Sequence, residues 1–152
     1  MKNNKSKKAQ VWVETVIYTL ICLVLIGTVL AFATPAIQKQ KDRAIIGMTV
    51  DAMNILDNNI ANIRREGISN VRENEVLISK GELIIDGAGD KIKFVISDVA
   101  YAYSEVGRPV EISSTNLNIE TRKSGKKFLI YLTLDYSNKS VNITSNMRDE
   151  SK

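Results

Sequence analysis

The sequence predicts an α+β protein: a long N-terminal α-helix packed on a C-terminal antiparallel β-sheet head. The helix is membrane-spanning in its first half and amphipathic in its second. Three observations carry that prediction. From Thr15 to Ala33, nineteen residues pass without a charge. From Ile45 to Ile63, apolar residues recur at spacings of three and four, the period of one helix face. After Gly67 the period drops to two, the alternation of a half-buried strand.

Three segments follow in order. Residues 1–9 are polar and basic; they read as a cytoplasmic leader without fixed structure. Residues 10–66 form the helix, about 85 Å long if continuous. Its uncharged part covers roughly 28 Å at ~1.5 Å per residue, the thickness of a hydrocarbon core. Pro35 removes one helix hydrogen bond and crowds the preceding turn, which predicts a kink there. Gly27 is a second soft spot. Beyond Pro35, Ile45, Met48, Ala52, Leu56, Ile60 and Ile63 form the predicted core stripe. Lys41, Asp51, Asn54, Asp57, Asn58 and Arg65 take the polar face. Gly67 after "IRRE" is a C-cap, with Arg64 and Arg65 at the negative end of the helix.

Residues 67–152 are the head. "NEVLISKGELIIDGAGDKIKFVIS" reads as short strands broken at "KG" and "DGAGD". Ile92, Phe94 and Ile96 share one face, as do Leu117 and Ile119. Phe128, Ile130, Leu132 and Leu134 make a third such set, and Val141 and Ile143 in "SVNITS" a last one. "KSGK" at 123–126 and "SNK" at 137–139 carry turn chemistry. The prediction is an antiparallel meander with one buried face, covered by the 45–63 stripe. "DVAYAYSEVGRP" at 98–109 is open between strand and irregular connection.

Charge has a definite location. The chain holds 21 Lys+Arg and 17 Asp+Glu. Lys2, Lys5, Lys7 and Lys8 account for the whole excess of four. The basic surplus is therefore an N-terminal tag rather than a nucleic-acid patch. Lysines beside a span stay cytoplasmic, which places the N-terminus inside and the head outside. There is no histidine, and with it goes the commonest general base and metal ligand. The lone Cys22 lies mid-span and cannot pair within one chain; it reads as a small apolar filler. With no nucleophile elbow and no phosphate loop, the sequence carries no enzyme signature and implies no cofactor.

Glu14 is the residue that an ordinary anchor leaves unexplained, because an ionised acid is costly in a bilayer. A plain signal anchor would keep it at the membrane edge, snorkelling or protonated. A cleaved secretory signal would use "AFA" at 31–33, with cleavage after Ala33. The apolar run from Val11 to Ala33 is longer than the 7–15 residues of such a signal's core.

A third reading begins from spacing. Counted from Gln10 as residue one, Glu14 is residue five. Ala9, Lys8 and Lys7 precede Gln10, and a span-length apolar helix follows. This layout resembles an archaeal type IV pilin with a class III signal peptide, over about residues 7–66. The matching residues are Lys8, Ala9, Gln10 and Glu14, with Ala9 where glycine is more frequent. The resemblance implies cleavage of the Ala9–Gln10 bond on the cytoplasmic side, with the apolar helix retained. It implies that Glu14 pairs with the new amine of Gln10 on a neighbouring subunit. It implies a prepilin peptidase, an assembly ATPase and a membrane platform protein as partners. It also implies self-polymerisation into a surface filament for adhesion or attachment. Archaeal flagellins share the leader logic but differ in their start and lack the acid. Gly27 and Pro35 would then let the helix bend or unwind locally as subunits pack. From another class, a monomeric signal-anchored binding module remains the alternative.

Weaker signals complete the reading. Asn138-Lys-Ser and Asn142-Ile-Thr are glycosylation sequons expected to be exposed. "DGAGD" at 86–90 offers Asp86 and Asp90 to calcium, although a hairpin turn is the commoner use, and no metal site is assigned. Arg64, Arg65 and the lysines at 123, 126 and 127 read as solvated charge, so no nucleic-acid partner is predicted.

Overall fold

A computed structural model describes residues 4–67, 71–73, 75–76, 78–113, 115–139, 141 and 143–144. One helix, α1, runs Asn4–Glu66 and is followed by five strands: β1 Glu82–Asp86, β2 Lys91–Val99, β3 Pro109–Glu111, β4 Leu117–Ser124 and β5 Lys127–Asp135. The chain divides into two compact units, 1–38 and 39–152. The fold is α+β, with α1 packed on a five-stranded antiparallel sheet.

α1 begins at Asn4, inside the segment expected to lack structure. A formed helix adds residues at little cost, and Lys5, Lys7, Lys8 and Ala9 are all good helix formers. The helix also continues unbroken past Gly27 and through Pro35. Proline lacks an N–H, so the Ala31 carbonyl loses its partner. Next to it, the Thr34 hydroxyl donates to the Leu30 carbonyl at 2.8 Å. The helix ends as predicted. Gly67, at φ 89°, donates its N–H to the Ile63 carbonyl at 3.3 Å, a backbone conformation that favours glycine.

The sheet order is β1-β2-β5-β4-β3, every neighbour antiparallel. It is not the simple meander expected. β3, β4 and β5 do meander, but the β2–β3 connection carries the chain from the inside of the sheet to its far edge. β5 then returns to pair with β2. The uncertain 98–109 stretch is mostly this crossover. Two other expected strands are absent among the described residues. The described residues of "NEVLIS" (75–76 and 78–79) and of "SVNITS" (141, 143 and 144) carry no strand. Val141 and Ile143 still pack against the core, but their N–H groups go elsewhere: Val141 to the Lys139 carbonyl at 2.8 Å, Ile143 to Asp90 Oδ1 at 3.0 Å.

The alternation within strands holds. Ile92, Phe94, Ile96, Leu117, Ile119, Ile130, Leu132 and Leu134 are buried on one face. Val99 joins them because a bulge between Ile96 and Val99 restores the phase. At that bulge Asp98 takes φ 61°. Gly81 is equally constrained. It sits at φ 123°, where a Cβ would lie 2.5 Å from the Phe94 ring and 2.7 Å from the Val95 carbonyl.

The helix face that covers the sheet matches the predicted stripe only in part: Leu56 and Ile60 pack against the core, but its centre lies elsewhere. Ile46, Val50 and Met53 are the buried apolar residues of α1, flanked by buried Asp42 and Asp57. Met48, expected inside, is 68% exposed. The true stripe is turned by about one residue, or ~100°. Asp57, assigned to the polar face, is therefore in the core.

Candidate functional site

Unit 1 carries its apolar residues on the outside. From Val11 to Ile37 the large side chains are exposed, Trp12 and Phe32 by more than 70% each. The span-length window is wholly uncovered by the rest of the chain. This one helix is long and apolar enough to cross a membrane. Its threonine hydroxyls are satisfied within the helix. Thr15, Thr19, Thr28 and Thr34 each donate to the carbonyl four residues back, at 2.7–2.9 Å. A polar group without water thus finds its partner inside the helix. Trp12 and Tyr18 stand near the N-terminal end of the run, where amphipathic rings mark a membrane–water boundary.

Glu14 lies on this exposed helix. The Tyr18 hydroxyl, one turn on, donates to its Oε1 at 3.3 Å. Gln10 is one turn before it on the same face. Lys8, Ala9 and Gln10 are helical. Gly27 faces open space, with nothing within 4 Å of where a Cβ would stand. The structure thus puts Lys8, Ala9, Gln10 and Glu14 on one continuous helix.

Unit 2 holds the features that sequence reasoning missed. Asp42 and Asp57 clamp α1 to the head from within. Asp42 Oδ2 accepts the Ala100 N–H at 2.7 Å, and Lys80 Nζ approaches Oδ1 at 3.5 Å. Asp57 accepts three bonds: the Tyr136 hydroxyl at 2.6 Å, Asn116 Nδ2 at 2.7 Å and the Asn116 N–H at 3.1 Å. Burial, and then the Asp57 carboxylate beside it, push the Tyr136 phenol far above its ordinary range. Tyr136 is thereby held as a neutral donor. The two acids are fifteen residues apart, about four helical turns, so both fall on one face. That spacing was visible in the sequence. It was masked because Ile45, Met48 and Ala52 form a competing stripe one residue away.

That competing stripe is only half covered. Ile45, Met48, Ala52 and Ile55 line a groove of about 300 Å³ with Val76 and Phe94. Met48 and Ile55 remain more than 60% exposed.

The remaining predicted sites are placed as follows. Asn138 is exposed in the turn after β5, while Asn142 lies outside the described residues. "DGAGD" is the β1–β2 hairpin turn. Asp86 accepts the Gly89 N–H at 3.0 Å and pairs with Lys93 at 3.2 Å, and Asp90 caps Ile143. The Gly89 N–H, then Lys93, hold the Asp86 carboxyl below its usual range. Both acids of that segment are thus engaged within the chain. Comparison with protein-family models, curated proteins and solved structures finds no match.

Proposed function

We propose that this chain is a pilin-like structural subunit of an archaeal type IV pilus-like surface filament, serving adhesion or surface attachment. The observation that supports it is the uncovered apolar helix of unit 1. Between Val11 and Gln38 that helix carries one charge, Glu14. Such a surface demands a cover that its own chain does not supply. A bilayer covers it in the monomer, and neighbouring helices cover it in the polymer.

Glu14 gives the change of environment its direction. Hydrolysis of the Ala9–Gln10 peptide bond by a prepilin peptidase frees an α-amine on Gln10. Packed among apolar helices, that cation needs a carboxylate partner. Glu14 of an adjacent subunit provides it. The pair admits only processed subunits, because the amine does not exist before cleavage, and it fixes axial register as a buried polar residue does in a coiled coil. An assembly ATPase and a membrane platform protein drive the transfer. The head faces outward, with Asn138 and Asn142 as glycan acceptors.

Glu14→Ala tests this reading. The variant should be processed normally yet fail to enter filaments. Filaments of ordinary yield from that variant would remove the role given to Glu14.

One observation favours a second reading, a monomeric signal-anchored binding module. The Tyr18 hydroxyl already reaches Glu14, so the carboxylate has a partner without a second subunit. The two readings separate on product. The pilin gives sedimentable filaments of processed chain, and the anchor gives a full-length monomer in detergent.

A further inference from the structure

The head of this protein gathers basic residues at one end. At one end, the start of unit 2 (residues 39–43), Lys80, residues 98–101 and the β4–β5 hairpin (123–127) are tied into one cluster. Lys80 Nζ lies 3.5 Å from Asp42 Oδ1 and donates to the Asp98 carbonyl at 2.9 Å. Lys127 Nζ donates to Asp98 Oδ2 at 2.7 Å. The Arg43 guanidinium sits 5.7 Å from the Tyr101 ring centre. Those segments hold seven cations against two carboxylates, Asp42 and Asp98, an excess of five. Both carboxylates are already engaged. Among the described residues, no carboxylate pairs with the exposed Lys39, Lys41, Lys123 or Lys126.

At the opposite end, Asp57, the β1–β2 turn (86–91), residues 111–116 and the turn after β5 (135–139) hold five carboxylates, but Lys91, Lys93, Lys139 and Arg64 stand among them, so that end carries no comparable excess. The basic end is the one at which residue 39 continues back into residue 38, the last of unit 1. One helical turn before Lys41 is Ile37, the final large apolar residue of the uncovered run.

We infer that Lys39, Lys41, Arg43, Lys123, Lys126 and Lys127 form a docking surface for the anionic headgroups of the bilayer that unit 1 spans. A cluster of exposed cations beside a span attracts an acidic lipid surface within a Debye length. The same attraction draws the basic end of the head to the headgroups while the subunit is in the membrane. The hairpin supplies half of the surface from about eighty residues away in sequence, so the cluster exists only in the folded head. This inference rests on unit 1 being a membrane span and not on filament assembly.

The test uses the full-length chain with Cys22→Ser and Ser124→Cys, placed in lipid nanodiscs so that both faces stay accessible. A water-soluble maleimide reports exposure of the hairpin. Labelling should slow by about five-fold when roughly 30 mol% phosphatidylglycerol replaces phosphatidylcholine, and recover at about 0.5 M salt. Lys123→Gln, Lys126→Gln and Lys127→Gln together should abolish that lipid dependence while the circular dichroism of the head stays unchanged. Equal labelling in both lipids overturns the inference and leaves the span intact. Lipid dependence that survives the triple substitution overturns it too. Protection by duplex DNA, with none from phosphatidylglycerol, assigns the surface to nucleic acid instead. Failure to enter phosphatidylcholine nanodiscs at all removes the span and this inference together.

Discussion

Leu23 and Val24 on unit 1 are more than 60% exposed, whereas Ile46 and Val50 on unit 2 are buried under a sheet, all four on the same helix. The uncovered stretch is uncharged from Thr15 to Ala33, whereas the covered one is amphipathic. The two stretches also differ in how each uses its acids. The covered stretch is bracketed by Asp42 and Asp57, and both find partners on the head that fix the helix against it. The uncovered stretch has only Glu14, whose sole described partner is a tyrosine one turn along. Apolar contact is non-directional. A carboxylate chooses position, and Asp42 and Asp57 fix where the covered stretch meets the head.

The comparison breaks most sharply at Asp57. Asp57→Ala strands a buried hydroxyl and two donors of Asn116, and should cost about 4 kcal/mol of head stability. Denaturant unfolding of the full chain in detergent, followed by the β-sheet circular dichroism, measures it. A loss below about 1 kcal/mol would mean that the clamp is not what holds α1 in register. Ile46→Ala, which opens a void in the core between α1 and the sheet, should cost about 3 kcal/mol in the same assay. Met48→Ser, two residues away on the same helix, should cost less than about 0.5 kcal/mol because that side chain is already in water. Leu23→Ala should leave head unfolding unchanged, since nothing in unit 2 depends on it. Equal costs for Met48 and Ile46 would restore the stripe expected from sequence.

The smallest effect is pH-dependent. The Lys91 ammonium 2.8 Å away, then the Ser137 hydroxyl and N–H, hold the Asp135 carboxyl at about 2 against an ordinary 3.8. The folded value lies below the unfolded one. The contribution is therefore complete above 3.8 and is lost as pH falls toward 2. Asp135 is partly exposed, so the step should be slight. Asp135→Asn should flatten the stability profile in that window, and an unchanged profile would show that the Lys91 pair contributes nothing.

Much of this architecture was legible in the sequence. A run without charge and a two-residue alternation are local patterns, and the span-length uncovered helix and the buried faces of β2, β4 and β5 followed from them. Ile46 was not legible against Ile45, because two apolar stripes lie side by side on the helix and only the sheet decides between them. Asp57 was read as surface because a lone acid is usually solvated; its partners, Asn116 and Tyr136, are about sixty and eighty residues away. The crossover from β2 to β3 is likewise non-local. Val141 and Ile143 alternate like a strand yet form none, since their N–H groups are taken by a turn and by Asp90. For the candidate site, the Gln10–Glu14 spacing was fully visible, while the basic end of the head appeared only when the hairpin met residues 39–43.

The central claim is that the apolar helix is released from a leader and used for assembly. Intact-mass analysis with N-terminal sequencing of the protein from its native membrane or filament tests it most directly. The account predicts a mature chain beginning at Gln10, with the helix retained. A chain that still begins at Met1, or one that begins at Thr34, contradicts it.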